Sequence, residues 1–77
     1  MDAYVLVLTE MGRAAEVAAA LRGIDGVVRA DMVTGPYDVV AAVHARDVVE
    51  LGRGVLAAVQ ATPGITRTLT CPVVDPG

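Results

Sequence analysis

Two short apolar runs limit most strongly what this chain can fold into. Residues 3–8 (AYVLVL) and residues 39–44 (VVAAVH) are apolar at nearly every position, odd and even alike. Because a β-strand turns successive side chains to opposite faces of its sheet, both runs are predicted to be strands with two apolar faces. A chain of 77 residues is one domain, so a single small sheet must have both of its faces covered.

The segments around these runs predict the other elements. Residues 13–22 are predicted to be an amphipathic helix that ends at Gly23, and residues 27–34 a second strand. The Gly-Pro-Tyr-Asp segment at residues 35–38 predicts a β-turn, because proline presets the φ angle needed at the second position of such a turn. The second and third strands are therefore predicted to form a hairpin.

The second half of the chain supplies another helix and another strand. Asp47 and Glu50 have the spacing of a capping box at the start of a second helix. Five residues then mark one helical face: Val48, Leu51, Val55, Ala58 and Val59. Gly52 and Gly54 weaken this helix, and we expect them to allow close packing against another element. Residues 65–74 are predicted to be the fourth strand.

The order β-α-β-β-α-β predicts an α+β fold of the ferredoxin-like type, an α/β sandwich with a four-stranded antiparallel sheet and both helices on one face. The domain is predicted to span residues 3–74, with residues 75–77 as a tail. Because monomers rarely expose a large apolar patch, we expect the uncovered sheet face to pack on a second copy, which gives a dimer. Val49 and Leu56 add an apolar stripe on the second helix, which indicates a further contact. The alternative is that all these residues thicken one core.

Charge and composition exclude several classes of function. The net charge is −3, with six arginines, no lysine and no basic cluster, which argues against a nucleic-acid partner. No apolar run approaches the ~18–20 residues of a membrane helix. The Met-Asp-Ala start lacks the basic residues of a signal peptide. We therefore expect a cytoplasmic protein with no membrane partner.

The chain offers little material for a cofactor site or for catalysis. Cys71 and His44 are the single cysteine and histidine, so no disulfide, closed zinc site or other cofactor is predicted. Serine and lysine are absent, which removes two common nucleophiles. We expect Cys71 to be a small packing residue, His44 an ordinary surface residue, and the protein not to be an enzyme. The competing enzyme hypothesis is a small dimeric α/β-barrel isomerase or oxygenase that uses His44, Tyr4, Tyr37 and carboxylates.

The turn carries groups that suit a small zwitterion. Outward-pointing amides of Tyr37 and Asp38 are expected to bind a carboxylate, and the Asp38 carboxylate to accept a hydrogen bond from an ammonium group. With Gly35 and Pro36, these residues form one half of a candidate amino-acid site. The simpler alternative is a hairpin turn without a ligand.

Three threonines, Thr66, Thr68 and Thr70, form the other half of the candidate site. They alternate along the fourth strand, so their hydroxyls are predicted to share one face, with Arg67 on the opposite face. We expect them to meet the turn across a subunit boundary. The alternative is a β-favouring face toward solvent.

Two segments carry a resemblance to a known family. Segment 33–38 (VTGPYD), followed by an apolar strand, resembles the signature hairpin of the Lrp/AsnC family of transcriptional regulators. Segment 63–70 (PGITRTLT) resembles the closing part of the family's C-terminal ligand-binding half, the RAM domain, and the resemblance covers residues 3–74. It implies sheet-packed dimers that assemble into tetramers, octamers or decamers. It also implies amino acids bound between dimers, at residues 35–38 and the three threonines.

Full-length members of that family carry an N-terminal helix-turn-helix domain, whereas this sequence starts at its first strand. The resemblance therefore predicts a stand-alone or excised RAM domain that senses a small molecule, by expectation an amino acid, and does not itself bind DNA. A second hypothesis is a structural partner that co-assembles with full-length Lrp/AsnC regulators.

Overall fold

The two apolar runs form the central strands of an antiparallel sheet. A computed structural model describes residues 1–74 and contains four strands: β1 Asp2–Thr9, β2 Val27–Met32, β3 Val39–His44 and β4 Ile65–Pro72. Their order across the sheet is β2-β3-β1-β4, and every neighbouring pair is antiparallel. Strands that are apolar on both faces bury most at the centre of a sheet, which places β1 and β3 there. The predicted ferredoxin-like α+β fold is confirmed.

Two helical stretches cover one face of this sheet. α1 spans Ala14–Arg22. α2 runs through residues 48–60 in three consecutive segments, of which Val48–Glu50 and Ala57–Gln60 are α-helical and Leu51–Leu56 is π-helical. The core lies between the sheet and these helices, and its largest fully buried side chains come from all of them: Val5, Val7, Val17, Leu21, Val39, Val43 and Val59. Each such side chain stabilises the fold by about 1.5–3 kcal/mol relative to its exposed state.

Asp47 begins α2 as predicted. Its Oδ1 accepts a hydrogen bond from the Glu50 N–H at 2.8 Å, which satisfies one of the amides that a helix start leaves unpaired. The Glu50 carboxylate pairs with Arg46 rather than returning to Asp47. Half of the predicted capping box therefore forms, and an ion pair replaces the other half.

The close packing expected at Gly52 and Gly54 is not found. A Cβ atom on Gly52 would meet no atom within 4 Å, and one on Gly54 would lie 3.7 Å from Glu50 Cγ, an ordinary contact. α2 instead approaches the loop before β2, where a Cβ on Gly26 would lie 2.5 Å from Val55 Cγ2. Gly26 also has a φ of +95°, which disfavours any other residue. The glycine that close packing requires is therefore outside the helix.

The connection from β2 to β3 is longer than the sequence predicts. β2 ends at Met32 rather than at residue 34, and the Val33 N–H donates to Asp38 O at 2.9 Å to close a loop over residues 33–38. Gly35 adopts a φ of +138° within it, a conformation that favours glycine. β3 has its predicted bounds, and β4 ends at Pro72 rather than at residue 74. The predicted tail, residues 75–77, lies outside the described residues.

Candidate functional site

Asp38 fastens the loop between β2 and β3 to the end of β1. Its Oδ2 accepts hydrogen bonds from the Thr9 N–H at 2.9 Å and from Thr9 Oγ1 at 3.3 Å. Its own N–H donates to Val7 O at 2.9 Å. The ladder between β1 and β3 ends at the pair Val7 and Val39. Beyond that pair, the Asp38 side chain accepts the hydrogen bond of the β1 backbone that a strand carbonyl would otherwise accept.

The prediction that the Asp38 amide points outward to a carboxylate is wrong. Asp38 directly precedes β3, and its N–H continues the β1–β3 hydrogen bonds by donating to Val7 O. A backbone donor next to a strand is used by the strand first, because an unpaired buried amide costs free energy. The Asp38 carboxylate is half-buried, and no donor in residues 1–74 bonds to its other oxygen, Oδ1.

We call the hydrogen bonds between Asp38 and Thr9 the clamp. A cavity of about 400 Å³ lies beside it. It is lined by Thr9, Glu10, Met11, Gly12, Ala14 and Asp38. Its wall therefore combines one predicted site residue with the β1–α1 connection, in which the sequence analysis named no site residue. A signal was present in the sequence, since Thr9 is the first polar residue after an apolar strand. The nearby Glu10 carboxylate is engaged by Arg13 Nη1 at 3.1 Å.

The first β4 threonine lies near Thr9, at the same end of the sheet as this cavity. The other two lie farther along the strand, toward the opposite end of the sheet. Thr68 and Thr70 lie opposite Val7 and Val5, so they share the helix-covered side of the sheet and are half-buried. Thr66 is exposed, and the pairing of β1 and β4 shifts register beside it, between Leu8 and Thr9. Its Oγ1 donates to Leu8 O at 3.2 Å. The common face predicted for all three is therefore found for Thr68 and Thr70.

Within one chain, the predicted site residues line two different cavities. Asp38 lines the larger one, whereas Thr66 and Thr68 line a cavity of about 180 Å³ between the start of β4 and the end of α2. Gly35 and Pro36 are exposed at the loop tip, and Tyr37 is half-buried. Thr70 stands four residues beyond Thr66, which corresponds to about 13 Å along a strand.

The face of the sheet away from the helices is apolar at its centre. The side chains that lie there come from the three strands β3, β1 and β4: Val40, Ala42, Tyr4, Leu6, Leu8 and Leu69. Tyr4 is 50% exposed and Leu69 is 45% exposed, whereas Leu6, Leu8, Val40 and Ala42 are half-buried. We call this surface the open face. Arg67, paired with Leu8, lies on it as predicted.

Charged and reactive groups surround the apolar centre of the open face. On β2, Arg29 Nε lies 2.6 Å from Asp31 Oδ2. At the other end of the strands, His44 Nδ1 lies 2.6 Å from Asp2 Oδ1, and this hydrogen bond is the main cause that lowers the pKa of the Asp2 carboxyl. Cys71 is exposed, so the prediction of a packing residue is wrong. Cys71 lies on edge strand β4 and pairs with Tyr4 of β1, and no helix or strand of residues 1–74 covers it.

Residues 1–74 form neither a metal-binding cluster nor a helix that could span a membrane. In the part of the chain that the structure describes, no three histidine, cysteine or carboxylate side chains converge on a point that could hold a metal ion. Neither α1 nor α2, the helices found in residues 1–74, has the length and apolar content needed to span a bilayer.

The whole chain resembles one known family. The family model of the Lrp/AsnC ligand-binding domain matches residues 2–76. The structure of TTHA0845 from Thermus thermophilus superposes with a TM-score of 0.88 and 32% sequence identity, over 96% of this chain and 92% of that one. No curated protein matched the sequence.

Two regulators share the fold at lower identity. E. coli AsnC superposes with a TM-score of 0.87 and 21% identity, over 96% of this chain and 50% of AsnC. The Neisseria meningitidis transcriptional regulator NMB0573, whose structure was solved with L-Met, gives a TM-score of 0.82 and 21% identity, over 97% of this chain and 50% of that one. This chain therefore spans half the length of both regulators.

Proposed function

This chain belongs to the Lrp/AsnC ligand-binding domain family, and from that premise we propose that it is an oligomeric sensing module whose ligand is a free amino acid. The family is a ligand-binding part of transcriptional regulators rather than a family of enzymes. A regulator with the same fold, NMB0573, has been solved with an amino acid, L-Met. These findings support a regulatory ligand-binding module, and the ligand class is our proposal.

The observation that carries this proposal is the hydrogen bonding of the two Asp38 carboxylate oxygens. Oδ2 is held by two donors of Thr9, and Oδ1 has no donor from residues 1–74. Asp38 lines a cavity of about 400 Å³, which lies within the range of volumes of small-molecule sites. A half-buried carboxylate with one unused oxygen at a cavity wall suits an ammonium group, and such a charged hydrogen bond contributes about 1.5–3 kcal/mol.

The ligand site is proposed to be completed by a second subunit. Asp38 and the β4 threonines line separate cavities of one chain, so a pocket that uses Gly35, Pro36, Tyr37 and Asp38 together with Thr66, Thr68 and Thr70 needs two chains. The hydroxyls of Thr68 and Thr70 suit the ligand carboxylate, whereas Thr66 donates its one hydroxyl proton to Leu8 O. In this arrangement, ligand binding depends on assembly, which is how a sensing module would report on its ligand.

The same proposal covers self-association through the open face. Its apolar centre is left uncovered by both helices, and a second copy is the simplest partner for an isologous contact of this kind. Dimers of this type are proposed to assemble further, into tetramers, octamers or decamers, through surfaces that include the loop over residues 33–38. The exposed Val49 of α2, 58% accessible, is available for such a contact.

Titration calorimetry with a panel of the common amino acids tests the ligand class. We expect at least one to bind the parent, and Asp38→Asn to weaken it by about 1.5–3 kcal/mol. Asparagine keeps an oxygen that can accept from Thr9 but removes the charge that an ammonium group needs. Asp25→Asn, which removes the same charge from an exposed loop residue, is the control. An unchanged affinity in Asp38→Asn would show that another residue holds the ligand.

A structural partner of full-length relatives is the second candidate function. The open face favours it, because an apolar surface can pair with a related chain without any ligand. If no amino acid binds the parent while the protein forms mixed oligomers with a full-length relative, this second function replaces the first.

A further inference from the structure

We infer that Thr9 is a positioning residue of the ligand site: its amide and hydroxyl hold the Asp38 carboxylate so that Oδ1 stays free for the ligand. This inference rests on the proposed amino-acid function. Thr9 lies outside the turn and outside β4, the two segments that the sequence singled out. It lies 29 residues before Asp38 in the chain.

The geometry of the clamp fixes an otherwise loose side chain. The terminal torsion of an aspartate is broad, so the plane of a free carboxylate rotates easily. Here both Thr9 donors, at 2.9 Å and 3.3 Å, converge on the same oxygen, Oδ2. Two donors from one residue on one oxygen restrict the rotation of the carboxylate plane, and the second oxygen stays available for an incoming ammonium group.

The Thr9 N–H is available because β1 runs past its partner. The β1–β3 ladder stops at Val7 and Val39, and the pairing of β1 with β4 shifts register between Leu8 and Thr9. A backbone N–H at this point has no strand partner, so a side chain takes it. The carbonyl of the same peptide group, Leu8 O, accepts from Thr66 Oγ1. A bond to the carbonyl polarises the peptide and strengthens its N–H as a donor.

The other carboxylate at the cavity does not compete for this role. Glu10 also lines the cavity, but its Oε2 is bound by Arg13 at 3.1 Å. Arg13 also binds Glu16, and both acids raise the pKa of the Arg13 guanidinium, which stays charged. Glu10 is therefore already paired with a cation, whereas no ion pair to Asp38 is found within residues 1–74, and Thr9 is the residue that holds the Asp38 carboxylate at the cavity wall.

The test compares Thr9→Val with Thr9→Ser in calorimetry, using the amino acid that binds the parent most tightly. Valine keeps the β-branched shape and the backbone N–H but removes the hydroxyl, and we expect affinity to fall by about 3- to 10-fold. Serine restores the hydroxyl and should return the affinity to within about twofold of the parent. Thr62→Val, which removes a hydroxyl bond to Ala58 O at 3.1 Å, is the control and should bind like the parent.

A double-mutant cycle separates positioning from a general structural role. In an Asp38→Ala background there is no carboxylate to orient, so Thr9→Val should cause no further loss of affinity. An equal loss in both backgrounds, or parent-like affinity of Thr9→Val, overturns the inference.

A crystal structure of Thr9→Val distinguishes failure of this inference from failure of the proposed function. The plane of the Asp38 carboxylate should rotate from its position in the parent when the hydroxyl is gone, a result that needs no ligand. An unchanged orientation of Asp38 overturns the positioning role even if amino acids bind. If no amino acid binds the parent, the proposed function fails, and the reoriented carboxylate would still establish the clamp.

Discussion

Asp38 and Thr66 are hydrogen-bonded to opposite ends of the same peptide group, the one that joins Leu8 to Thr9. The Thr9 N–H donates to Asp38 Oδ2 at 2.9 Å, and Leu8 O accepts from Thr66 Oγ1 at 3.2 Å. The two segments that the sequence analysis paired as halves of one site are thus connected within a single chain, through the end of the strand that lies between them.

Removing the Asp38 carboxylate should lower the free energy of unfolding as well as the affinity for the amino-acid ligand. Asp38→Ala leaves the Thr9 N–H and hydroxyl without their acceptor, and we expect a loss of about 1–2 kcal/mol in the free energy of unfolding. Asp38→Asn keeps an acceptor oxygen and should lose less than half as much. Urea denaturation of both variants measures the difference. Sedimentation should show at least a dimer for both variants, because the loop over residues 33–38 lies outside the open face.

Thr66 should affect ligand affinity through the peptide group between Leu8 and Thr9, to which Asp38 is also hydrogen-bonded. Thr66→Val removes the bond to Leu8 O, and we expect a two- to three-fold loss of amino-acid affinity, about 0.5 kcal/mol. Combined with Thr9→Val, the two losses should be less than additive, because both act on the orientation of Asp38. Additive losses in calorimetry would indicate that Thr66 contacts the ligand independently.

The open face should hold the oligomer together. Leu69 is 45% exposed in the single chain, so Leu69→Arg is compatible with a folded monomer but places a charge in an apolar contact. We expect sedimentation velocity to show a dimer or larger for the parent and a folded monomer of 7.9 kDa for the variant. Val49→Glu on α2 should leave the dimer intact. A parent that sediments as a folded monomer would remove the basis of this prediction.

Protonation of Glu16 should remove part of the protein's stability in acid. A hydrogen bond from Arg13 is the main cause that lowers the pKa of the Glu16 carboxyl below its ordinary value. The folded state therefore favours the ionised form, and this contribution is complete above the unfolded pKa of about 4.3. It is lost as the pH falls through the lowered folded value. Melting temperatures of the parent and Glu16→Gln, followed from pH 7 to acid, should converge at low pH, whereas parallel curves would contradict this account.

Two glycines should respond in opposite ways to alanine. A Cβ on Gly26 would lie 2.5 Å from Val55 Cγ2 at a φ of +95°, so Gly26→Ala should destabilise by about 1–3 kcal/mol. Gly52 is helical and its Cβ would meet open space, so Gly52→Ala should stabilise by about 0.5–1 kcal/mol. Thermal unfolding of the two variants checks both signs.

The sequence by itself determined the order of elements, the two central strands and the local signals. The apolar run at residues 39–44 predicts the bounds of β3, and Asp47 caps α2 as its spacing indicates. These features depend on side-chain period and on contacts between residues three or four positions apart. Such information is complete within a short window, which is why a single sequence reveals it.

The tertiary structure alone decided what the site residues touch. The clamp joins Thr9 to Asp38 across 29 residues, and the bond from Thr66 to Leu8 spans 58. Both depend on strand register, including the shift between Leu8 and Thr9, and a change of one residue turns a side chain to the other face. The exposure of Cys71 has the same origin, because the face on which it lies and the elements that pack on that face are set by the assembled sheet.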